Sequence, residues 1–410
     1  MYDLAIIGAG AAGIESAKAA LAGGLKVLLV EQSQASFGGT CLNQGCIPAK
    51  FFLNSVKSNQ TWDKIFPRQS EIITSIKEPL VKSLQAGGLD IVWGKAKFFS
   101  PKVLDVEGIK YEAANVIVAS GSLPREVLKH PKAIFAQDLF SRKEIPESFL
   151  IIGAGYIGIE FASLLKGLNK KVHVIEKEEA ILPSFDSLLV KRLRAILNRQ
   201  GITIETCKDF SQCGMDGFDM AVIAAGRCPN TTSLGLEEAG IEVDSRGWVK
   251  TNSSLETNVA GVYACGDVTG KKMLAYTAQR QAGICVNNIL GLKKKEDYKG
   301  VPECVFSVPS MAQVGVLPQD AAKLNIKHQI FKSNFLKFSS AYVQEDKDGF
   351  IEIVADTKGK IIGAGIISKA AAELISLLSL CVLNEIDVKK LRSSLFIHPT
   401  LSEIIPQVLL

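Results

Sequence analysis

The chain has 410 residues, 47% of them hydrophobic, and a net charge of +5 at pH 7. This length and composition predict an α/β protein of two to four domains, and the small charge argues against a nucleic-acid-binding protein. No apolar run reaches the ~18 residues of a membrane span, and no leader precedes the first apolar run. We therefore expect a cytoplasmic protein without membrane contact.

The first predicted element is a βαβ unit. A short apolar strand leads into Gly-Ala-Gly-Ala-Ala-Gly and then into an alanine-rich helix. In such a unit Gly8 makes the turn, Gly10 lets a pyrophosphate approach the backbone, and Gly13 allows close helix–strand packing. A second strand ends at Glu31, which is placed to bind ribose hydroxyls. This pattern predicts a dinucleotide site.

A cysteine pair follows in residues 38–50, which read Gly-Gly-Thr-Cys-Leu-Asn-Gln-Gly-Cys-Ile-Pro-Ala-Lys. Five positions on an α-helix turn through about 500°, so the side chains of Cys41 and Cys46 would lie on different helix faces. A bond between them needs a distorted first turn, which Gly45 and Pro48 permit. A thiol at a helix start is also favoured as thiolate. Two buried reduced cysteines are the alternative interpretation.

This run resembles the redox-active disulfide of the flavin-dependent pyridine nucleotide–disulfide oxidoreductases. Within that family it is most similar to the dihydrolipoamide dehydrogenases, which carry Gly-Gly-Thr-Cys-Leu-Asn-x-Gly-Cys-Ile-Pro-x-Lys. The resemblance implies that Cys41 exchanges with a substrate thiol and that Cys46 lies against FAD and passes electrons to it. It also implies that Gly39, Thr40 and Lys50 contact FAD.

Two later segments resemble further parts of the family's flavin site. A β-type run ends in Ser120 and Gly121, like the strand and turn beside the flavin. Another strand leads into Cys-Gly-Asp, like the second flavin signature, in which the aspartate binds the ribityl chain; here that residue is Asp267. FAD would then be held by two separated segments, with an NAD domain inserted between them.

A second βαβ unit recurs with the same spacing. Gly153, Gly155 and Gly158 form its glycine motif, and Glu176 follows the first glycine by 23 residues, as in the first unit. Two full units predict two dinucleotide sites, and the resemblance assigns this one to NAD. Gly226 opens Gly-Arg-Cys-Pro-Asn, which resembles the point where the family's chain leaves its NAD domain, and we expect it to contact NAD.

The C-terminal tail carries the remaining catalytic signature. Its sequence His-Pro-Thr-Leu-Ser-Glu, from His398 to Glu403, looks like the family's catalytic His-Pro-Thr-x-x-Glu. A lone histidine is more often structural, but a carboxylate past a proline-bent turn could fix its tautomer. The resemblance makes His398 the base. It also pairs Lys50 with Glu160 near the flavin, against the alternative of two unrelated surface charges.

Two β runs and an apolar helix precede this tail, as in the family's interface domain. The expected fold is therefore α/β, with two Rossmann-like dinucleotide-binding domains for FAD and NAD and a C-terminal α+β dimerisation domain. The expected segments are 1–147 and 229–300 for FAD, 148–228 for NAD and 301–410 for the interface. Residues 201–217 are too short for the family's β-meander, so nicotinamide binding could be weaker.

The leading hypothesis is oxidation of dihydrolipoamide to lipoamide with NAD⁺, in a homodimer whose sites combine cysteines of one chain with His398 of the other. The partner would be free dihydrolipoamide or the lipoyl domain of a 2-oxo acid dehydrogenase or glycine cleavage complex. Two alternatives stay open: another NAD(P)H-dependent disulfide reductase of the family, and a low-turnover flavoprotein kept for binding or assembly. The seven other cysteines lack metal-ligand spacing, so we expect no metal site.

Overall fold

The computed structural model describes all 410 residues, and the chain divides into two compact units. The first unit comprises Met1–Arg125, Gln137–Glu144 and Gly226–Asp297. The second comprises Glu126–Ala136, Ile145–Ala225 and Tyr298–Leu410. Each unit is discontinuous in sequence because the chain passes between them several times.

Nineteen strands and thirteen α-helices make up the two units. Up to residue 152 they are β1 (Tyr2–Ile7), α1 (Ala11–Ala22), β2 (Val27–Glu31), α2 (Gly39–Asn43), α3 (Cys46–Lys57), α4 (Trp62–Ala86), β3 (Asp90–Trp93), β4 (Ala96–Ser100), β5 (Val103–Val106), β6 (Ile109–Val118), β7 (Ser122–Pro124), β8 (Ala133–Phe135) and β9 (Ser148–Ile152). The others are α5 (Tyr156–Gly167), β10 (Lys171–Ile175), α6 (Ser187–Arg199), β11 (Thr203–Glu205), α7 (Phe210–Cys213), β12 (Met220–Ile223), β13 (Arg227–Pro229), β14 (Val262–Ala264), α8 (Ala275–Ile289), β15 (Glu303–Val305), β16 (Ser310–Gly315), α9 (Pro318–Lys323), β17 (His328–Asn334), α10 (Ser339–Val343), β18 (Phe350–Asp356), β19 (Ile361–Ser368), α11 (Ala371–Leu383), α12 (Val388–Ser393) and α13 (Ile404–Gln407).

The first unit is built on a seven-stranded sheet of order β3-β2-β1-β6-β5-β4, with β14 also paired to β6. Strands β3, β2, β1, β6 and β14 are parallel, as expected for a Rossmann-like fold, while β4 and β5 are antiparallel additions. Helices α1 and α8 share one hydrophobic core with this sheet. Because β14 and α8 come from the far end of the unit, the two predicted flavin segments form one fold.

The second unit contains two sheets. The first has the order β11-β10-β9-β12-β8 and is parallel throughout, as the second βαβ unit predicts. Strand β8 joins this sheet although it precedes the expected start of the NAD segment at residue 148. Residues 201–217 hold only β11 and the four-residue helix α7. The shortness of this segment is therefore visible in the structure.

The second sheet of this unit has the order β15-β16-β19-β18-β17 and is antiparallel. Strands β18 and β19 are the two predicted β runs, and α11 is the predicted apolar helix. Its inner face is buried against the sheet, whereas Leu377, Leu380 and Leu383 are exposed on the other face. Exposed leucines at helical spacing are typical of a surface that binds another chain.

Two further properties of the structure bear on function. No helix combines the length and the apolar character needed to cross a bilayer. No group of three or more His, Cys, Asp or Glu side chains is arranged to hold a metal ion.

Candidate functional site: two glycine loops, a cysteine pair and a histidine

The first glycine loop is a cradle lined by backbone. Gly8 has φ +98°, and a Cβ added there would lie 2.6 Å from the Ala119 carbonyl oxygen. A Cβ on Gly13 would lie 1.8 Å from the Gly8 oxygen, and one on Gly39 would lie 2.7 Å from Cα of Gly10. A side chain at any of these positions would clash with the loop. Because all three residues are glycines, the free amides at the start of α1 stay open to a phosphate. This geometry fits the pyrophosphate of FAD.

Glu31 closes the same loop from the end of β2. Its buried carboxylate accepts hydrogen bonds from the Ala9 amide at 2.6 Å, the Ser36 hydroxyl at 2.7 Å and the Gln32 amide at 2.9 Å. The predicted ribose ligand thus lies beside the glycine motif, as the βαβ fingerprint requires.

The other flavin candidates meet at the end of β6. The Ser120 hydroxyl is buried without a hydrogen-bond partner, and Gly121 has φ +75°. A bound ligand or an ordered water could satisfy a buried hydroxyl of this kind. Asp267, from the second segment, belongs to the same unit, and its Oδ2 accepts a hydrogen bond from the Ser122 hydroxyl at 2.6 Å.

Arg227 and Ser122, which were not among the predicted site residues, complete this corner. Arg227 donates from Nε to the Ser122 hydroxyl and from Nη2 to the Ser122 carbonyl oxygen, both at 2.6 Å. Its Nε lies 3.8 Å from Oδ2 of Asp267. The only sequence signal is the position of Arg227 directly after Gly226, because its partners lie far away in the chain.

The cysteine pair lies on two short helical segments. Cys41 is in α2 and Cys46 is the first residue of α3, with a break at Gly45, where a Cβ would lie 2.8 Å from the Thr40 carbonyl oxygen. The structure holds both sulfurs as thiols. A hydrogen bond to Cys46, and then burial, raise the pKa of the Cys41 thiol well above its usual range. This shift favours the protonated Cys41 thiol. Cys46 is the first residue of α3, where the helix dipole favours a thiolate.

Lys50 and Glu160 belong to different units. Lys50 is half-buried in α3, close enough for its charge to lower the pKa of the Cys41 thiol. Glu160 is in α5, where its Oε1 accepts a hydrogen bond from the Phe306 amide at 3.1 Å. Their predicted pairing stays a prediction.

The second glycine loop repeats the first. Gly153 has φ +102°, and a Cβ on Gly158 would lie 1.9 Å from the Gly153 oxygen. The Glu176 carboxylate accepts hydrogen bonds from the Ala154 amide at 2.7 Å and the Glu178 amide at 3.0 Å. Around Gly155, nothing lies within 4 Å of an added Cβ, which leaves room for a phosphate against the backbone.

Gly226, the remaining NAD candidate, belongs to the first unit. It has φ +96°, and its carbonyl oxygen accepts a hydrogen bond from the Arg125 amide at 3.0 Å. Its predicted contact with NAD stays a prediction.

The His398 imidazole lies in the second unit with its Nδ1 at 2.8 Å from the Glu403 carboxylate. The histidine side chain is 71% exposed, whereas the glutamate side chain is 8% exposed. A buried carboxylate at Nδ1 selects the tautomer with a proton on that nitrogen, so Nε2 has its lone pair directed outward. The pair can thus accept a proton at Nε2.

Comparisons with known proteins agree over the whole chain. Residues 2–282 match the pyridine nucleotide-disulphide oxidoreductase family, and residues 301–409 match the dimerisation domain of that family. A dihydrolipoyl dehydrogenase of Chlamydia muridarum is 32% identical over 443 aligned positions, covering 98% of this chain and 95% of the relative. One of Bacillus subtilis is 29% identical and covers 99% and 98%.

A solved structure supports the same conclusion. The Cu(II) complex of the HOCl-induced flavoprotein disulfide reductase RclA from Escherichia coli superposes with a TM-score of 0.93 at 27% identity, covering 100% of this chain and 98% of that one. Together with the two glycine cradles, these matches show an enzyme that uses FAD and NAD(H). The chain belongs to the pyridine nucleotide-disulphide oxidoreductase family.

Proposed function

We propose that the chain is a dihydrolipoyl dehydrogenase, which oxidises the dithiol of dihydrolipoamide to a disulfide with NAD⁺ as the final acceptor. The observation that carries the proposal is the Cys41 thiol hydrogen-bonded to Cys46 at the first turn of α3. Two sulfurs in this arrangement can form a disulfide and accept two electrons from a dithiol. Full-length relatives with this name support the choice of substrate.

Dithiol exchange proceeds in two balanced steps. A substrate thiolate attacks Sγ of Cys41, the Cys41–Cys46 bond breaks, and its electron pair stays on Cys46. The second substrate thiolate then attacks the first substrate sulfur, which closes the substrate disulfide and releases Cys41 to take up a proton. The dithiol loses two electrons and two protons. The enzyme gains both electrons and retains one proton on Cys41, as its raised pKa favours, and the other proton is released to solvent.

His398 supplies the base. With Glu403 at Nδ1, its Nε2 accepts the proton of the first substrate thiol, and the carboxylate stabilises the resulting imidazolium. The same proton can return to Cys41 when the substrate disulfide leaves. The exposure of the imidazole suits a group that must meet a substrate from outside.

The two glycine cradles divide the cofactors. Gly8, Gly10, Gly13, Gly39 and Thr40, with Ser120, Gly121, Glu31, Lys50 and Asp267, would hold FAD. Gly153, Gly155, Gly158, Glu176 and Gly226 would hold NAD⁺. When bound, FAD supplies a two-electron relay between the cysteine pair and NAD⁺.

A homodimer with shared sites is part of the proposal. The matched dimerisation domain and the exposed leucines of α11 support it. Each site would combine Cys41 and Cys46 of one chain with His398 and Glu403 of the other. The dithiol donor would be dihydrolipoamide, free or on a lipoyl domain of a 2-oxo acid dehydrogenase or glycine cleavage complex. The seven cysteines outside the pair are free, which suits a reducing compartment, so we place the enzyme in the cytoplasm.

A steady-state assay with dihydrolipoamide and NAD⁺ tests the reaction. We expect Cys41→Ser, Cys46→Ser and His398→Gln each to lower kcat/KM by at least about 1,000-fold, because each removes a group on which the exchange depends. The matched controls are Cys207→Ser and His130→Gln, which should retain the wild-type rate. No NADH formation by wild-type protein loaded with FAD would refute the proposal.

Mixed dimers test the shared site. Cys41→Ser chains mixed with His398→Gln chains should recover activity, because one of the two sites then pairs intact cysteines with an intact histidine. No recovery after verified subunit exchange would show that each site is built within one chain.

The match to RclA favours a second candidate, a disulfide reductase that works in the opposite direction with NAD(P)H. The two candidates separate in the same assay. A dehydrogenase turns over dihydrolipoamide with NAD⁺, whereas a reductase of this second kind consumes NADH or NADPH with disulfides but leaves dihydrolipoamide unreacted. A flavoprotein kept for binding would turn over neither.

A further inference from the structure

A two-stranded ribbon joins the first unit to the rest of the chain. Strand β7 pairs antiparallel with β13, with Arg227 opposite Pro124 and Pro229 opposite Ser122. The chain leaves the first unit after Arg125, returns to it for Gln137–Glu144 and enters it again at Gly226, so both strands lie next to crossing points of the chain.

The Arg227 side chain folds back along this ribbon and is only 14% exposed. Its donors contact both oxygens of Ser122, and the Ser122 hydroxyl in turn donates to Asp267, all at 2.6 Å. A guanidinium can only donate, so the hydroxyl proton of Ser122 must point to Asp267. The direction of the whole chain of hydrogen bonds is thus set by Arg227, and Oδ1 of Asp267 is left available for a ligand.

The backbone of Asp267 is placed separately. Gly266 has φ +77°, an added Cβ would lie 3.1 Å from Cβ of Ala12, and its amide donates to Oε1 of Gln281 at 2.7 Å. Helices α1 and α8 therefore fix where the residue sits, while the direction of its carboxylate depends on Ser122 and Arg227. The position of Asp267 and the orientation of its carboxylate can therefore be changed independently by mutation.

We infer that Arg227 is a positioning residue of the flavin site, which acts through Ser122 to orient the carboxylate of Asp267. The inference rests on the proposed assignment of Asp267 to FAD, but not on the identity of the dithiol substrate.

The electrostatics of the corner agree with this role. Burial lowers the pKa of Arg227, and the Asp267 carboxylate, with Cys228 and Cys46 when they are thiolates, acts against that decrease. The guanidinium stays protonated. Its charge therefore lies close to the Asp267 carboxylate and acts on Cys46 when that residue is a thiolate, so Arg227 influences both the flavin site and the cysteine pair.

FAD binding to apoenzyme tests the inference. Arg227→Met and Ser122→Ala should each raise the Kd for FAD about 10-fold to 100-fold, since each removes a charge-assisted hydrogen bond. The double variant should bind FAD no more weakly than the weaker-binding single variant, because both changes break the same chain of hydrogen bonds. Arg227→Lys should bind no better than Arg227→Met, because an ammonium cannot reproduce the paired contacts. The matched control is Arg125→Met, which changes an exposed arginine directly after β7 and should bind FAD as the wild type does.

Two further measurements separate the possible failures. Asp267→Asn must weaken FAD binding; if it does not, the assignment of Asp267 fails and the inference falls with it. If Asp267→Asn weakens binding and neither Arg227→Met nor Ser122→Ala does, the inference alone is overturned.

A purely structural role predicts a different pattern. It would lower the apoenzyme Tm and leave unchanged the pH dependence of Cys46 alkylation, measured in a Cys41→Ser background. We expect Arg227→Met to shift that alkylation profile to higher pH. An unshifted profile with unchanged FAD affinity would overturn the inference.

Discussion

The two glycine loops have almost the same backbone but different surroundings. Their first glycines have φ +98° and +102°, and their last glycines leave 1.8 and 1.9 Å for an added Cβ. In the first loop Glu31 is buried and Gly39 closes on Gly10, whereas Glu176 is half-buried and Gly155 has open space. The same motif thus serves a closed site suited to a resident cofactor and an open site suited to one that exchanges.

The largest expected effects come from the last glycine of each loop. Gly13→Ala and Gly158→Ala each force a backbone shift, and we expect cofactor affinity to fall more than about 100-fold, near the upper range of overpacking costs. Gly13→Ala should yield protein without flavin absorbance. Gly158→Ala should keep its flavin and lose NAD⁺ binding, measured by calorimetry. Loss of flavin from Gly158→Ala would contradict the division of cofactors between the loops.

The unit that holds the second loop should also respond to pH. Glu352 of β18 is 1% exposed with Oε1 unpartnered, and burial, then the charge of Asp186, raise its pKa to about 7. Lys332 and Arg192 oppose this shift. Because the folded pKa lies above the unfolded value, the stabilisation is complete below about pH 4.5 and is lost as the pH rises through 7.

We expect the free energy of unfolding of that unit to fall by roughly 2–4 kcal/mol across this window. Glu352→Gln should remove the dependence, as measured by thermal unfolding at several pH values. Glu345→Gln, an exposed glutamate of the same unit, is the control and should leave it in place. Equal slopes for wild type and Glu352→Gln would contradict the expectation.

Substitutions of Glu31 and Glu176 should distinguish the two loops by smaller effects than the glycine substitutions do. Glu31→Ala leaves the buried Ala9 amide without its acceptor and should cost about 1–3 kcal/mol of stability. Glu176→Ala changes a more exposed site. It should lower stability by less than about 1 kcal/mol, and its main effect should be weaker NAD⁺ binding. Because the carboxylate disfavours a 2′-phosphate, we expect the ratio of kcat/KM for NAD⁺ over NADP⁺ to fall. An unchanged ratio would show that Glu176 does not face the adenosine ribose.

The smallest effect should come from Gly155, the middle glycine of the second loop. Gly155 has φ −75° and open space around it, so Gly155→Ala should lower stability by no more than about 1 kcal/mol, the cost of alanine at a helix N-cap. Any loss of NAD⁺ affinity then measures how closely the cofactor approaches that backbone. Gly39→Ala, at φ +63° and 2.7 Å from Gly10, should lower stability clearly more. Equal unfolding midpoints for the two variants would contradict the conclusion that Gly39 is tightly packed and Gly155 is not.

Much of the fold could be predicted because its signals are local. The borders of β1, α1 and β2 follow from an apolar run, the glycines and Glu31, and the observed elements begin and end within a few residues of the predicted ones. Strand β8 was missed because three residues carry no periodicity. The close approach of His398 and Glu403 was expected because both lie in one short signature.

The parts of the site that escaped prediction depend on distant contacts. Arg227 and Ser122 are 105 residues apart in the chain, and no local sequence pattern around either residue predicts their contact. Glu352 sits inside an apolar strand, which reads as an ordinary β run until its burial is known. A charged residue with no local reason to be buried is the signal that could have been followed.

The late arrival of β14 has a consequence for synthesis. On the ribosome, β6 emerges long before Val262–Ala264, so the part of its second edge at Val116–Val118, beyond the pairing with β5, stays unpaired while over a hundred residues are added. At about 5–20 residues per second this interval lasts on the order of ten seconds. A nascent or truncated chain ending in this stretch exposes a strand edge and the face of α1 that α8 later covers. Such fragments should be the species most in need of chaperones and most prone to aggregate.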